Sequence, residues 1–301
     1  KHKVSEESLV ALAVFAPQWA RFAAAAVGRS WSGLEDAVWW IHAHTKDSEY
    51  RVDSNLRERW EAAISERTPL NADERRDGAV DVDWFTRMHA AIGAKGWKQL
   101  DEYAKFASGN AGHKRAQLFA EAMLGTAKEK ELMSRVRTKR HQDSMRALGL
   151  VPLSSGSKRQ EQVLVRYKLL QEIRRTSRKH GGSMLQASEK RAVEIGLENL
   201  ARSAGYADPL RLQWAMERMD LKDLADGPVE VRKGDVKVTL RVTDDGTPEL
   251  EAQRNGKVLA SIPPAVKKNA AVAELAQRNT ELRRTGSRVR LSLEQAMCRG
   301  D

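Results

Sequence analysis

Cysteine is almost absent from this sequence, with Cys298 the only one among 301 residues. A single thiol excludes an internal disulfide framework and any zinc site built on several thiolates, and it favours a reducing compartment. Long apolar runs are also absent: residues 9–27 are rich in small and branched apolar residues but are interrupted by Pro17, Gln18 and Arg21. A membrane-spanning helix needs about 20 largely uncharged residues, so we expect core helices here and a cytoplasmic protein without a membrane partner.

Short motifs that would reveal a reaction or a cofactor are missing as well. The sequence has no Gly-x-x-x-x-Gly-Lys-Ser/Thr phosphate loop, no Gly-x-Gly-x-x-Gly fingerprint, no His-Glu-x-x-His and no Gly-x-Ser-x-Gly elbow. We therefore expect no cofactor. The segment KHGGS (179–183) predicts a flexible joint between helices, with an anion-binding turn as the alternative.

What the sequence does contain is a helix-forming composition. Eight prolines in 301 residues and long stretches rich in Ala, Leu, Glu, Arg and Lys predict helices along most of the chain. Residues 111–148 predict one long or kinked helix, and further helices are expected at about 158–179 and 185–204. Gly205 is a natural left-handed stop and Pro209 a natural first-turn residue, so the last of these helices is expected to turn tightly into another.

Residues 228–262 change to alternating apolar and polar residues interrupted by turn sequences, which predicts an antiparallel meander of three or four strands. The expected fold class is mainly α: packed helical hairpins, HEAT-like or an irregular bundle, with a small antiparallel β meander inserted near the C-terminus. The expected regions are an N-terminal helical region (1–110), a basic helical region with a hairpin (111–227), the meander (228–262) and a C-terminal helix (263–301). Since the sequence lacks an initiating Met and ends in a helical pattern, we interpret it as a fragment of a larger protein whose other modules are partners.

The positive charge is concentrated in one region. The whole chain carries 52 Lys or Arg against 41 Asp or Glu, a net charge of +11. Residues 114–191 alone hold 19 against 7, or +12, which leaves 33 against 34, or −1, for the rest. At 100° per residue, spacings of seven and four place seven of these cations in two rows on neighbouring helices. The first row is Lys128, Arg135, Lys139 and Arg146, and the second is Lys168, Arg175 and Lys179.

Two basic rows on neighbouring helices predict a surface that binds a polyanion such as nucleic acid, or an acidic protein partner. No aromatic residue interleaves with either row, so binding to nucleic acid would involve phosphates rather than bases and would depend steeply on salt. The alternative is an ordinary solvated helix surface, on which lysine and arginine are the usual residues.

One carboxylate falls at an unexpected position. In the segment DPLRLQWAMERMDL (208–221), helical spacing puts Glu217 in a row of apolar side chains, with a second apolar face opposite. We therefore expect this helix to be covered on both sides. A buried carboxylate must be paired and hydrogen-bonded, and the candidate partners are Arg140, Arg159 and Arg166, which fall near apolar positions of their own helices. This constellation predicts a structural ion pair or, as the alternative function, an enzyme of unknown reaction that uses Glu217 and the arginines.

The segment WWIHAHTKD (39–47) holds the one cluster of metal-ligating residue types, His42 and His44 with Asp47. Residues two apart diverge on a helix, and the sequence specifies no third ligand. His42 and His44 are therefore metal-site candidates for which packing in the core is the alternative.

Five segments together resemble one known family. They are GHKRAQLFAEAMLG (112–125), RALGLVPL (146–153), ASEKRAVEIGLENLARSAGYADPLRLQWAME (187–217), SIPPAVKK (261–268) and SLEQAM (292–297). They are similar to the uncharacterised domain of MolR-like (molybdate metabolism regulator-like) bacterial proteins, and the similarity extends over nearly the whole chain.

The resemblance implies a large, cytoplasmic bacterial protein of several modules, in some members including a WGR module, a type that contacts DNA in poly(ADP-ribose) polymerases. No Trp-Gly-Arg string occurs in this sequence, and the resemblance implies no catalytic residue. The function that we expect is a non-catalytic helical scaffold or interaction module of a bacterial regulatory protein, which presents a basic surface to its partner.

Overall fold

The computed structural model describes residues 4–45, 53–108 and 112–299 of the chain. The chain divides into two compact units, Lys1–Met216 and Glu217–Asp301. Each unit has a hydrophobic core of its own. The expected region boundary at residue 110 lies outside the described residues.

Within the described residues, the first unit begins with six α-helices and two short 3₁₀ helices. They are α1 (Glu6–Phe15), α2 (Ala20–Val27), α3 (Leu34–Thr45), α4 (Ser54–Ser65), α5 (Ala72–Asp77) and α6 (Val82–Ala107), with 3₁₀ helices at Pro17–Trp19 and Gly28–Trp31. At the start of α5, Asn71 and Glu74 each accept the backbone N–H of the other, which is a capping box. The long helix α6 is kinked at Gly93, whose φ is +71°.

Aromatic side chains fill the core between α3 and α6. The Trp40 ring on α3 lies 5.0 Å from the Phe85 ring and 5.5 Å from the Trp97 ring, centroid to centroid, and both partners belong to α6. All three residues are buried, and their tilted and edge-on arrangements are those that aromatic pairs favour. This cluster holds the N-terminal helices together.

The expectation of one long or kinked helix over residues 111–148 was wrong, because the described part of this segment, residues 112–148, forms three helices. They are α7 (Gly112–Met123), α8 (Glu129–Lys139) and α9 (Gln142–Leu148). The chain leaves the helical conformation through left-handed residues, Gly125 with φ +71° and Arg140 with φ +49°. His141 then caps α9, since its Nδ1 accepts the N–H of Ser144 at 3.2 Å.

The following helices match the sequence expectation closely. They are α10 (Lys158–Thr176), continued by a 3₁₀ helix at Ser177–Lys179, then α11 (Ser183–Ala204) and α12 (Pro209–Asp220). Gly205 ends α11 in the left-handed conformation, with φ +83°. The carboxylate of Asp208 accepts the N–H of Arg211 at 2.8 Å and so caps the start of α12.

Helix α11 packs very closely against α9. A Cβ atom on Gly196 would lie 2.5 Å from the carbonyl oxygen of Met145, so the two backbones can approach this closely only at a glycine. The fully buried Asn199, one turn further along α11, donates to the carbonyl of Gly78 at 3.1 Å and accepts the N–H of Val80 at 3.1 Å. The side-chain amide of Asn199 therefore supplies hydrogen-bond partners for two backbone groups in the link between α5 and α6, the C=O of Gly78 and the N–H of Val80.

The second unit carries a four-stranded antiparallel sheet with strand order β1-β2-β3-β4. Its elements are α13 (Lys222–Ala225), β1 (Val229–Lys233), β2 (Val236–Val242), β3 (Pro248–Arg254), β4 (Lys257–Val258), α14 (Pro264–Lys267) and α15 (Ala270–Arg299). Val238 on β2 pairs with Val231 on β1 and with Ala252 on β3. The alternate residues Val236, Val238 and Leu240 are buried, as the period of two in the sequence predicts.

The fold class is therefore mainly α, with a small antiparallel β meander near the C-terminus, and the expectation from the sequence is confirmed. None of the described helices combines the length and the apolar content that a membrane crossing requires.

Candidate functional site

The two predicted basic rows follow α8 and α10, with Lys128 at the N-cap of α8 and Lys179 in the 3₁₀ helix after α10, and most of their side chains are exposed. The exposed cations are Lys128, Arg135, Lys139, Lys168, Arg175 and Lys179. Lys128 lies 3.4 Å from the carboxylate of Glu131. Arg135, Lys139 and Lys179 form no ion pair with a residue in the described ranges. These side chains therefore present positive charge to the solvent.

Arg146 does not belong to this exposed surface. Its side chain is 12% exposed, its Nη1 lies 3.0 Å from Oδ1 of Asp143, and its Nε donates to the carbonyl of Asp77 at 2.7 Å. The expectation that Arg146 extends the first row was wrong, because the helix assumed for that row ends at Arg140. The spacing of seven from Lys139 therefore does not describe one helix face.

A concave pocket of about 320 Å³ opens where α8 and α10 end. Its lining comes from the end of α8, the turn into α9, the segment after α10 and the first turns of α11, namely Arg137, Thr138, Lys139, Arg140, Gln142, His180, Leu185 and Glu189. Lys139 is the last cation of the α8 row, and Lys179, the last cation of the α10 row, directly precedes His180. Both basic rows therefore end at this pocket.

Arg140 joins the helices that form the pocket. Its Nε lies 2.5 Å from Oε2 of Glu189 on α11 and its Nη2 lies 2.6 Å from Oε1, which is a bidentate ion pair. On α10, its Nη1 donates to Oγ1 of Thr176 at 3.0 Å and its Nη2 donates to the carbonyl of Ile173 at 2.8 Å. Since its donors are used within the protein, Arg140 positions the pocket rather than offering itself to a ligand.

Glu189 does not cancel the positive charge at the pocket. Its side chain is only 5% exposed, and Arg140 neutralises it. Burial raises the pKa of Glu189, but hydrogen bonds from Arg140 and Ser177, together with the positive charges of Arg140 and His180, outweigh burial and hold this pKa below its usual range. Arg137 and Lys139 form no ion pair within the described ranges, so their charges are available to an anion.

Of the pocket residues, the sequence singled out Lys139 as a polyanion-binding candidate and Arg140 as a candidate partner of Glu217. It did not single out Arg137, His180 or Glu189. Arg137 lies about 200° from Lys139 around an ideal helix and so falls outside the row, but both can line a pocket at the helix end. His180 carried a faint signal, because it stands in the segment KHGGS (179–183), for which an anion-binding turn was the alternative. Glu189 carried none, because its partner lies 49 residues earlier in the chain.

Glu217 on α12 is paired, but not with the arginines that the sequence suggested. Its Oε2 accepts from Nη2 of Arg288 on α15 at 2.5 Å, and its side chain is 18% exposed. The apolar row around it is not a core face, since Leu210 and Trp214 are 45% and 47% exposed. The opposite face, with Leu212 and Met216, is buried. The expectation that α12 is covered on both sides was therefore wrong.

The three arginines proposed for Glu217 have other partners. Arg140 pairs with Glu189, and Arg166, which is completely buried, pairs with Glu129 at 2.7 Å. Arg159 is exposed and donates to a backbone carbonyl at 3.4 Å. The predicted constellation does not assemble, because helical spacing shows which charges face inward but not which helices meet.

His42 and His44 both lie on α3 and are buried. Nε2 of His42 lies 2.8 Å from the carbonyl oxygen of Val14, and the ring of His44 packs 4.6 Å from the ring of Trp40, centroid to centroid. Asp47 lies outside the described residues. Among those that are described, no group of three His, Cys, Asp or Glu side chains is placed to hold a metal ion.

Comparisons with known proteins give two family matches. A model described as a family of unknown function (DUF5724) matches residues 1–216, and a model described as a domain of unknown function (DUF4132) matches residues 256–301. The first match covers the same residues as the first compact unit. No curated protein and no solved structure matches the chain.

Proposed function

We propose that this chain, which belongs to the family of unknown function DUF5724, is an interaction module that binds nucleic acid through its phosphates. One observation carries the proposal. The exposed cations of α8 and α10 lead to a pocket lined by Arg137 and Lys139, while the acid of that pocket, Glu189, is already neutralised by Arg140.

The distribution of charge supports a polyanion as the partner. Residues 114–191 carry a net charge of +12. Lysine and arginine side chains that neutralise phosphates release condensed counterions, and this release drives binding to nucleic acid at low salt. Long, exposed cationic side chains on two helices that meet at their ends provide such contacts.

The regular spacing of the cations favours nucleic acid over an acidic protein. Steps of four and seven residues correspond to about 6 and 10 Å along a helix. A row of this kind matches a partner whose charge repeats uniformly along its length, as that of a phosphate backbone does. No Phe, Tyr or Trp is among the residues that line the pocket, so we expect little stacking and little dependence on base sequence.

The resemblance to MolR-like proteins supports a place for this module in a bacterial regulatory protein of the cytoplasm. The descriptions of the two matching families mention neither regulation nor WGR modules. That role and that compartment stay predictions.

A salt titration with matched variants tests the proposal. The first variant carries Arg135→Gln, Lys139→Gln and Lys179→Gln on the basic rows. The second carries Arg21→Gln, Arg29→Gln and Arg59→Gln, which are exposed cations outside the basic region. Both variants lose three positive charges, so any difference between them depends on position.

Binding of labelled duplex and single-stranded oligonucleotides is measured by fluorescence anisotropy between about 50 and 200 mM salt. We expect wild-type protein to bind with a steep salt dependence, and the first variant to lose roughly 0.9 of log–log slope for each cation that contacts a phosphate. The second variant should behave as wild type. Equal weakening in both variants, or no binding at the lowest salt, would contradict the proposal and direct attention to an acidic protein partner.

A further inference from the structure

We propose that the pocket binds a terminal phosphomonoester, so that the module recognises phosphorylated ends of nucleic-acid strands. This inference rests on the proposed function and specifies which part of the nucleic acid the pocket takes. Its basis is the combination of a concave, half-open pocket with Arg137 and Lys139, which form no ion pair with a described residue, at the point where the two basic rows end.

The size of the pocket excludes a duplex and suits a single nucleotide unit. A volume of about 320 Å³ lies near the lower end of the range for small-molecule pockets. A phosphate inside a duplex is flanked on both sides by sugars and lies on a convex surface, so it cannot enter a concave site of this size. A phosphate at a strand end protrudes and can.

The charge of the pocket favours a monoester over a diester. A phosphomonoester carries about −1.5 to −2 at neutral pH and has three acceptor oxygens, whereas a diester carries about −1 and has two. Arg137 supplies a planar fork that can donate to two oxygens at once, and Lys139 supplies a compact ammonium group. His180 adds ring nitrogens, and Leu185 adds an apolar wall next to which a sugar can pack.

The buried carboxylate of Glu189 does not oppose the binding of a phosphate in the pocket. Glu189 is held by both of its oxygens in the pair with Arg140. The pair also fixes the end of α8 against α10 through Ile173 and Thr176. The backbone that carries Arg137 and Lys139 is thus anchored at the end of α8, although their side chains remain exposed.

The positions of the two basic rows relative to the pocket explain why the ligand would be the end of a nucleic-acid strand. The α8 row runs from Lys128 to Lys139 and stops in the pocket, and the α10 row runs from Lys168 to Lys179 and stops beside His180. A strand that follows either row reaches the pocket at one end only. Its internal phosphates contact the rows, and its terminal phosphate enters the pocket.

The test compares oligonucleotides of one sequence that differ only at their ends: 5′-phosphate, 3′-phosphate or hydroxyl at both. Binding is measured for wild-type protein, for Arg137→Ala with Lys139→Ala, and for Arg135→Ala as the control. All three residues are exposed on α8, but Arg135 is not among the residues that line the pocket. Circular dichroism checks that each variant retains its helices.

We expect at least one phosphorylated oligonucleotide to bind wild-type protein about tenfold more tightly than its hydroxyl counterpart. The pocket variant should lose this ratio, while Arg135→Ala should weaken all three oligonucleotides and keep it. Inorganic phosphate and a phosphoserine peptide serve as competitors. A peptide that displaces the oligonucleotide more effectively than inorganic phosphate does would overturn the assignment to strand ends in favour of a phosphorylated protein.

The outcomes separate this inference from the proposed function. Equal affinity for phosphorylated and hydroxyl ends, with the steep salt dependence retained, would overturn the inference and leave the proposed function standing. Absence of binding to all the oligonucleotides would overturn the proposed function and the inference together.

Discussion

Arg166 is completely buried, and its guanidinium group is paired with a carboxylate and a backbone carbonyl oxygen. Its Nε lies 2.7 Å from Oε1 of Glu129, and its Nη1 donates to the carbonyl of Val151 at 2.6 Å. Loss of one partner from a buried pair leaves an uncompensated charge and costs about 3–5 kcal/mol. Buried charges in this chain therefore depend on partners that are distant in sequence, and single substitutions there affect stability before they affect binding.

His44 is a buried residue with a pronounced electrostatic shift. Burial first, and then the positive charges of Arg115 and Arg75, lower its pKa to about 3. In the unfolded chain a histidine pKa is about 6.5. The native state therefore keeps His44 neutral at pH values where the unfolded chain binds a proton. Its contribution to stability is fully present above about pH 6.5 and is lost as the pH falls toward 3.

We expect the free energy of unfolding of the His44→Phe variant to fall less steeply than that of the wild-type protein as the pH is lowered below about 6.5. Between about pH 6.5 and pH 5, the wild-type protein should lose about 1.6 kcal/mol of unfolding free energy through His44 alone. The variant should lose correspondingly less, whatever its stability at neutral pH. Urea unfolding monitored by tryptophan fluorescence at several pH values measures the difference. Parallel profiles for the two proteins would show that His44 already binds a proton in the native state.

Single residues in this chain were predictable where local spacing decided their position. The exposed Lys128, Arg135 and Lys139 lie one turn or two turns apart on one helix face, and spacing sufficed for them. Arg146 shares the spacing but is held by the carbonyl of Asp77, 69 residues earlier in the chain. A contact of that range leaves no periodic trace, so the sequence could not reveal it.

At the scale of elements, the approach of α11 to α9 depends on glycine. Alanine is normally the better helix residue by about 1 kcal/mol. At Gly196, however, a methyl group would lie 2.5 Å from the carbonyl oxygen of Met145, and a backbone atom cannot move aside as a flexible side chain can. The steric cost therefore exceeds the gain in helix propensity.

We expect Gly196→Ala to lower the free energy of unfolding by about 2–3 kcal/mol. Gly205→Ala is the matched control, because Gly205 has φ +83° but no atom within 4 Å of its added Cβ. That variant should lose only the conformational cost of a left-handed alanine, about 1 kcal/mol. Urea unfolding provides both values. A Gly196→Ala protein as stable as wild type would show that the two helices are less close than described.

Elements were predictable where the sequence marked both ends. Gly205 and Pro209 bracket the turn between α11 and α12, and the Asn255-Gly256 turn separates β3 from β4 with φ of +51° and +81°. The break between α8 and α9 was missed because Arg140 occupies the left-handed position. Nothing in its identity distinguishes it from a helix interior residue, since its conformation is held by contacts with α10 and α11.

At the scale of the whole molecule, the two compact units can be followed by different measurements. All eight tryptophans fall within residues 1–216, whereas the described β-strands all fall within the second unit. Each unit has a separate hydrophobic core. Tryptophan fluorescence therefore reports the first unit, and hydrogen exchange of the strand amides reports the second.

We expect Leu240→Ala to destabilise the second unit selectively. Leu240 is completely buried in the core between the sheet and its helices, and such a truncation costs about 2–5 kcal/mol. The strand amides should then lose their protection from hydrogen exchange at lower urea concentration, while the midpoint of the fluorescence transition stays at its wild-type value. A joint shift of both midpoints would mean that the chain unfolds as one cooperative body.

The hydrogen bonds of Asn199 have a consequence for how this chain is made in the cell. Its amide supplies the partners for Gly78 and Val80, which are synthesised about 120 residues earlier. At ribosomal speeds of about 5–20 residues per second, this interval amounts to roughly 6–24 s. During that time the first helices leave the exit tunnel while the C=O of Gly78 and the N–H of Val80 still lack their partner. We expect such a nascent chain to be a chaperone client until α11 has emerged.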